Sequence, residues 1–260
     1  MKIVTWNVNS LNARLPVVLQ YLRQSRPDVA LLQETKCVDE KFPAGEIEDL
    51  GYNLALNGQK TYNGVAILSK RPIEDVRRGL PGDEADDQAR YIEALIPTSA
   101  APVRVASVYA PNGNPPDSPK LAYKLNWLHR LRRHAGNLLK QEESLVLGGD
   151  LNVILTDDDV HDPAAWEGDA LFLPQSINGL RAILNLGLTD AYRACHSEPH
   201  RYTFWDYQRG AWAKDHGIRI DYLLLSPQAT DRLKACEIDK QVRGWEKPSD
   251  HVPVWLEMEE

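Results

Sequence analysis

Apolar and β-branched residues recur in short runs along the whole chain, bounded by turn formers: KIVTWNVN, DVALLQET, GVAILSK, YIEALIP, VRVASVYA, SLVLGGDLN, RIDYLLLS and HVPVWLEM. Runs of this length and make-up predict strands. Several are apolar at nearly every position, as in strands covered on both faces, whereas YIEALIP alternates like a half-exposed one. Between the runs the period lengthens to that of a helix. Leu15, Val18, Leu19 and Leu22 form one apolar stripe, and Leu121, Leu125, Leu128 and Leu131 another. Arg130, Arg132 and Arg133 on the second helix are expected on a solvated outer face. The strands gather on either side of PNGNPPDSP, a stretch too brief for a flexible tether. The pattern therefore predicts an α/β fold with two sheets face to face, flanked by helices. It forms a single domain, 1–260, with two related halves, about 1–115 and 116–260.

At 260 residues, 43% apolar and 26% charged, the chain has the composition of a globular protein with a large core. A net charge of −7 rules out a uniformly basic surface, so a nucleic-acid partner needs a local patch or a bound cation. The start MKIVTWNVNSL lacks a long apolar segment, which points to the cytoplasm and away from a membrane partner. Cys37, Cys195 and Cys236 are odd in number and lie far apart, so they are expected as reduced, structural thiols.

Chemistry enters where polar residues interrupt the apolar runs: Asn7 and Asn9 after KIVTW, Glu34 after DVALLQ, Tyr109 after VRVASV, Asp150 and Asn152 after SLVLGG, and Asp221 after IRI. Each is expected near the C-terminal end of a strand, and in layered α/β proteins such ends converge on one edge. Singly, such residues serve turns by bonding their own backbone. As a set, Glu34, Asp150, Asp221 and Asp250 would repel one another unless a divalent cation or a charged histidine lay among them. Ligands offering only oxygen point to Mg²⁺, which binds through one or two carboxylates, here Glu34 with Asp250, plus a substrate phosphate. His251 stands out among the seven histidines because it follows an acid and precedes a strand, in EKPSDHVPVW. His129, His134, His161, His196, His200 and His216 are expected to be structural.

WNVNSL, LLQETK, NGVAILSK, VYAPNG, GGDLNV, GIRIDYLLLS and KPSDHVPVW, in this order from end to end, resemble the successive motifs of the exonuclease III family of AP endonucleases, its bacterial branch in particular. The resemblance implies the four-layered α/β sandwich of the DNase I-like superfamily. It also implies a Mg²⁺-dependent phosphodiesterase, with Mn²⁺ as a substitute ion, that cuts duplex DNA 5′ to abasic sites and processes blocked 3′ ends, acting as a monomer. By the same resemblance Glu34 is a metal ligand, with Asn9, Asp250 and Asn7 contributing to the metal site. Asn7, Asp150 and Asn152 orient and deprotonate the attacking water, Tyr109 contacts the phosphate, and Asp221 pairs with His251. Lys36, Arg90 and Asn112 fall where family members touch backbone phosphates. Either Asp150 or the Asp221–His251 pair can serve as the base.

YTFWDYQRGAW sets Phe204, Trp205, Tyr207 and Trp212 beside Arg209, a mixture of stacking faces and charge suited to distorted nucleic acid. Resemblance places Phe204 in an abasic-sugar pocket, with Trp212 and Ile218 among the DNA contacts; some relatives have Trp where this chain has Ile218. Lys70, Arg71, Arg77 and Arg78 in SKRPIEDVRRG form a second basic segment, read either as phosphate contacts or as a solvated face. The DDD run at 157–159 is expected as a solvated acidic turn. Two other functions fit the same fold: a superfamily phosphodiesterase acting on RNA or inositol phosphates, and a non-catalytic nucleic-acid-binding regulator.

Overall fold

A computed structural model describes residues 1–260. The first strands are β1 (Lys2–Asn7), β2 (Val29–Gln33), β3 (Asn53–Asn57), β4 (Val65–Ser69), β5 (Glu74–Arg78) and β6 (Tyr91–Ile96). They are followed by β7 (Val103–Tyr109), β8 (Ser144–Asp150), β9 (Thr189–Asp190), β10 (Asp221–Leu225), β11 (Leu233–Ile238) and β12 (Val254–Met258). Three helices cover the sheets: α1 (Leu11–Ser25), α2 (Pro119–Leu139) and α3 (Pro174–Leu184). Sheet one has the order β11-β12-β1-β2-β4-β3 and sheet two the order β5-β6-β7-β8-β10-β9. The pairings match strand for strand, with one parallel pair in each sheet, β1–β2 and β7–β8, and antiparallel pairs elsewhere.

Parity along the strands decides the layers. Ile3, Val29, Leu31, Val105, Val146 and Leu223 lie in the core between the sheets. Their neighbours Val4, Trp6, Ala30 and Leu32 turn outward against α1, while Ala106, Leu147, Tyr222 and Leu224 turn outward against α2 and α3. Because both faces of each sheet are covered, the central strands read as continuous apolar runs, and a four-layered sandwich results; β6, expected as half-exposed from its alternation, is buried too, because Glu93 meets Tyr91, His134 and Arg104 in the interior rather than water. The strands that carry no such run, β3, β5, β9 and β11, are the four sheet edges. Edge strands are polar and half exposed, as in EDVRR of β5, which blunts edge-to-edge pairing and removes the periodicity that would announce them.

The sheets do not divide at the Pro-rich stretch. β5, β6 and β7 precede it yet join sheet two, and β11 and β12 return to sheet one. The physical reason is that β7 and β8 are parallel, and a parallel pair needs a crossover. PNGNPPDSP is the entry to that crossover, α2, as the segment leading into α1 is for β1 and β2.

Two buried charges, Arg130 and Asp159, correct the expectation of solvated faces. On α2 the inward line is Lys124, Trp127, Leu128, Arg130, Leu131, Ala135 and Leu138, so the stripe is rotated relative to Leu121 and Leu125, which are half-buried. Arg130 is 3% exposed and donates to Asp86 at 2.6 Å and to the carbonyls of Leu80 and Pro81, whereas Arg132 and Arg133 are exposed. Of the DDD run, Asp159 is fully buried. Arg219 Nε lies 2.7 Å and Arg193 Nη2 2.6 Å from its Oδ1, and Arg219 also reaches Asp190 at 2.8 Å. This network ties the loop after β8 to the approach into β10, and so fixes Asp221 opposite Asp150.

Burial works against the Asp159 carboxylate, but Arg219 and Arg193 outweigh it and hold its pKa below the ordinary value. A depressed folded-state pKa contributes stability that is complete above the unfolded pKa, near ~3.9, and is lost as pH falls through the folded value. Asp159→Asn is therefore expected to cost about 3 kcal/mol at pH 7, and to lose less than the parent on further acidification. Urea titrations at neutral and acid pH measure both; a variant as stable as the parent at pH 7 would remove the network from the account.

Candidate active site

Strand ends from both sheets meet at one edge. In sheet one Asn7 ends β1 and Glu34 follows β2 by one residue. In sheet two Tyr109 and Asp150 stand side by side in register, and Asp221 faces Asp150 from the other side. Asp221 opens β10 rather than closing a strand, since the preceding Ile218 makes only isolated bridges with Val160 and Phe204. Because β10 runs antiparallel to β8, its start shares the edge with the other strands' ends. Beneath this edge a polar seam joins the sheets: Gln33 Nε2 donates to Ser107 Oγ at 2.9 Å and Thr5 Oγ1 at 3.1 Å. Gly148 makes the close approach possible, since a Cβ there would lie 2.6 Å from Leu31 Cδ1.

Asn7 is fully buried and links the two sheets' carboxylates. Its Nδ2 donates to Glu34 Oε1 at 2.8 Å and to Asp150 Oδ2 at 2.9 Å, while its Oδ1 accepts from the Asn9 amide at 3.0 Å. Asp150 Oδ1 accepts from the Asn152 amide at 2.9 Å, and Asn152 Nδ2 donates to Ala110 O at 2.8 Å. His251 Nδ1 lies 2.9 and 3.1 Å from the Asp221 oxygens, and its Nε2 lies 3.7 Å from Asp150 Oδ2. A carboxylate only accepts, so Nδ1 carries a proton and Nε2 is presented to the site. Ser249 fixes the His251 segment to β1, its Oγ donating to Asn7 O at 2.8 Å and accepting from the His251 amide at 3.2 Å.

Burial disfavours charge on both Asp150 and His251, with opposite outcomes. For Asp150, burial and the neighbouring Asp221 and Glu34 outweigh His251 and raise its pKa to about 7. For His251, burial is overcome by Asp221, Asp150 and Asp250, which raise its pKa to about 10. Between these values the imidazolium and the Asp150 carboxylate coexist. Burial likewise works against the Glu34 carboxylate, but Lys36, Asn7 and His251 prevail and lower its pKa. Tyr109 is pushed well above the usual phenol range by burial and by Glu34 and Asp150, so its hydroxyl keeps its proton.

Oxygen and nitrogen atoms of Glu34, Asp150 and His251 lie within 4.8 Å of one another. Lys36 Nζ sits 2.7 Å from Glu34 Oε2 and 2.6 Å from Asn9 Oδ1, and Asn9 Nδ2 donates to Asp250 Oδ1 at 3.0 Å. An ammonium already lies between two oxygens of the expected metal-ligand set, which shows that these groups accommodate a cation. Their all-oxygen chemistry fits a hard divalent ion.

The site opens into a cleft of about 610 Å³ lined by Lys36, Arg90, Asn112, Lys120 and the exposed Tyr62, among others. Arg90 lies over the Tyr109 ring, 4.8 Å from its centroid, and Asn112 Nδ2 is 3.4 Å from Asn152 Oδ1. The other expected contacts separate. Phe204 packs edge-on to His251 at 4.9 Å and is half-buried. Ile218 is 1% exposed, within an apolar group with Ile154, Val160, Leu171 and Ile220, so it presents no surface to a partner. Trp212 packs instead against Trp205, 5.1 Å between centroids, with Lys240 over both rings. In the second basic segment Lys70 lies over Tyr52, Arg71 pairs with Glu260, Arg77 with Asp75 and Arg78 with Leu56 O; none lines the cleft.

Sequence reasoning missed Lys124. It is fully buried beneath Asn112 and Asn152, and the signal was present: with Trp127, Leu128 and Leu131 it falls on the inward line of α2. It missed Ser249, Thr203 and the Gln33–Ser107 seam for want of any signal, since their partners come from distant strands. Thr203 Oγ1 accepts from the amides of Ile220 and Asp221 at 3.1 and 3.2 Å.

Comparison with known proteins places this geometry. Residues 4–251 match the Endonuclease/Exonuclease/phosphatase family. Exodeoxyribonuclease III of Haemophilus influenzae is 31% identical over 99% of both chains. The 3′ phosphatase NExo from Neisseria, solved with a product DNA hairpin, superposes with a TM-score of 0.95 at 40% identity over the whole of both chains. An AP endonuclease from Archaeoglobus fulgidus superposes at 0.93 with 36% identity, also over both whole chains.

Proposed function

The chain belongs to the endonuclease/exonuclease/phosphatase family, and from that premise we propose that it uses Mg²⁺ to hydrolyse DNA phosphodiesters 5′ to abasic sites and to clear blocked 3′ ends. It is a DNA-repair phosphodiesterase, a metal-dependent nuclease acting on DNA. The observation that carries the finer reading is the single buried Asn7 amide joining Glu34 to Asp150, with His251 held between Asp150 and Asp221. We read the protein as a cytoplasmic monomer; none of its helices is long and apolar enough to cross a membrane.

Glu34 would hold the ion, with Asn7, Asn9 and Asp250 around it. When bound, the ion supplies Lewis-acid charge at the phosphate oxygens and leaving group. Asp150, oriented by the Asn7 amide and ionised above about pH 7, accepts the proton of a water placed beside it and Asn152. His251, charged up to about pH 10, donates from Nε2 to a non-bridging oxygen and stabilises the charge that builds there, and Asp221 holds the ring's orientation and favours its charged form. This division favours Asp150 over the Asp221–His251 pair as base, because a histidine held protonated has no lone pair to offer. Tyr109, protonated, is a further donor to the phosphate, and Lys36, Arg90 and Asn112 line the path of the strand.

His251→Asn is expected to lower kcat by about 10²–10³-fold, as loss of a preorganised donor does, with the fold retained. Wild-type turnover by the purified variant would overturn the role. The reading as a whole is tested with a duplex carrying one abasic analogue, the same duplex with a 3′-phosphate, and RNA and inositol-phosphate controls, with and without Mg²⁺. Metal-dependent nicking at the lesion supports it. Release of 3′-phosphate without nicking would favour a second reading, 3′-end processing alone, to which the likeness to the Neisseria 3′ phosphatase points. Action on neither DNA substrate would refute both.

A further inference from the structure

Lys124 is fully buried in the second turn of α2. An ammonium has three N–H donors, and three carbonyls lie around this one: Asn152 O at 2.5 Å, Asn112 O at 3.0 Å and Ala170 O at 3.1 Å. The three belong to different connections: the segment after β7, the segment after β8 and the one leading into α3. The alkyl stem passes beneath Gly113, whose φ is +90° and where a Cβ would come within 2.7 Å of Lys124 Cδ. The cluster is thus built around this side chain, and two of its three acceptors belong to residues of the site: Asn112, which lines the cleft, and Asn152, which is bonded to Asp150.

We propose that Lys124 is a positioning residue for phosphodiester cleavage, fixing the Asn152 and Asn112 backbones so that Asn152 is held beside Asp150 and the attacking water, and Asn112 on the path of the strand. The proposal rests on the reading of Asn152 as an active group. Asn152 has φ +50°, in the left-handed region, which asparagine enters more readily than other side chains and which the contacts around it select. Its amide N–H is bound to Asp150, its Nδ2 to Ala110 O and more distantly to Asp150 Oδ2, its carbonyl to Lys124, and its Oδ1 accepts from Asn112 Nδ2 at 3.4 Å. Without the ammonium the Asn152 peptide is free to relax away from that conformation. Removing the ammonium would leave the Asn152 and Asn112 carbonyls without a donor, so a cost in stability is also expected, and the test separates it from the effect on turnover. Burial pulls the Lys124 pKa down to about 7, against Asp150 and Asp169, which favour its charged form.

The test is a double-mutant cycle on DNA cleavage at a temperature well below melting. Lys124→Met, which keeps the stem and removes the donors, is expected to lower kcat by about 10²-fold with KM changed by no more than about threefold. Lys124→Arg, retaining charge and donors, should recover part of kcat. In an Asn152→Ala background Lys124→Met should cost no more than about threefold further, because its effect passes through Asn152. Leu131→Ala on the same helix serves as the control: it should lower the melting temperature at least as much while leaving kcat within about twofold. Should Lys124→Met not fold, Lys124→Gln, which keeps two donors, takes its place in the cycle. Additive losses, an unchanged kcat, or a fall in kcat matched by Leu131→Ala would overturn the positioning role while leaving the site reading intact. A near wild-type Asn152→Ala would instead sink the site reading, and this proposal with it.

Discussion

Asp150→Asn is expected to lower turnover by about 10³–10⁴-fold and, at pH 8, to raise the melting temperature. Loss of activity follows from removing the acceptor for the water proton, a contribution of about 10²–10⁴ by itself, to which a weakened hold on the His251 imidazolium adds. The gain in stability follows from the same burial. Asp150 is 1% exposed, and its pKa is raised to about 7 by burial and by Asp221 and Glu34. A carboxyl whose folded-state pKa exceeds its unfolded value destabilises the native state progressively as pH rises between the two, up to the folded value. The neutral amide escapes that penalty, so a few degrees are expected at pH 8, about what 1–2 kcal/mol yields in a chain of this length, and little change at pH 4, where native Asp150 is already protonated. Melting curves at the two pH values measure this. Wild-type kcat/KM should rise with pH as Asp150 ionises, at or below about pH 7 once a cation favours the carboxylate, and should fall near pH 10 as His251 loses its proton. The residual activity of Asp150→Asn should lack the lower limb. A variant that retains that limb, or that cuts at the wild-type rate, would remove Asp150 as the base.

Glu34→Gln is expected to weaken divalent-cation binding by at least about 10²-fold, and to abolish cleavage at limiting metal with partial recovery at high concentration. Charge is the reason. Glu34 is the carboxylate at the cleft that already holds a cation, the Lys36 ammonium at 2.7 Å, and its pKa is lowered by that partner. The amide keeps the volume and one acceptor but loses the charge, and Lys36 loses its anchor. Titration of the protein with Mn²⁺, followed by calorimetry or by the paramagnetic signal of the free ion, reads the affinity independently of turnover. Unchanged Mn²⁺ affinity in Glu34→Gln would place the metal elsewhere.

Much of the site could be read in the chain because it consists of exceptions to a strong local rule. Where covered strands should be apolar throughout, Asn7, Asp150 and Asp221 break the pattern, with Glu34 just beyond, and the structure brings all of them to one edge together with His251. Trp212 and Ile218 followed no such rule and lie apart from the cleft, one stacked on Trp205 and the other sealed in an apolar group. Composition near a motif reports how side chains are spaced along the chain, and it carries no information about which way a loop turns them.

The sequence by itself determined that its continuous apolar runs are strands covered on both faces, which polar residues stand near their ends, and the divalent-metal phosphoryl chemistry that those residues suit. Each of these depends on a period of two residues or on the identity of one side chain, and both are visible locally. Only the tertiary structure decided that β5–β7 pair into the second sheet, that the edges are β3, β5, β9 and β11, and that Lys124, Arg130 and Asp159 are interior charges. A charged residue looks the same in a sequence whether water or three carbonyls surround it. It is stable in the interior only when partners arrive from other parts of the chain, and those partners are brought by the fold.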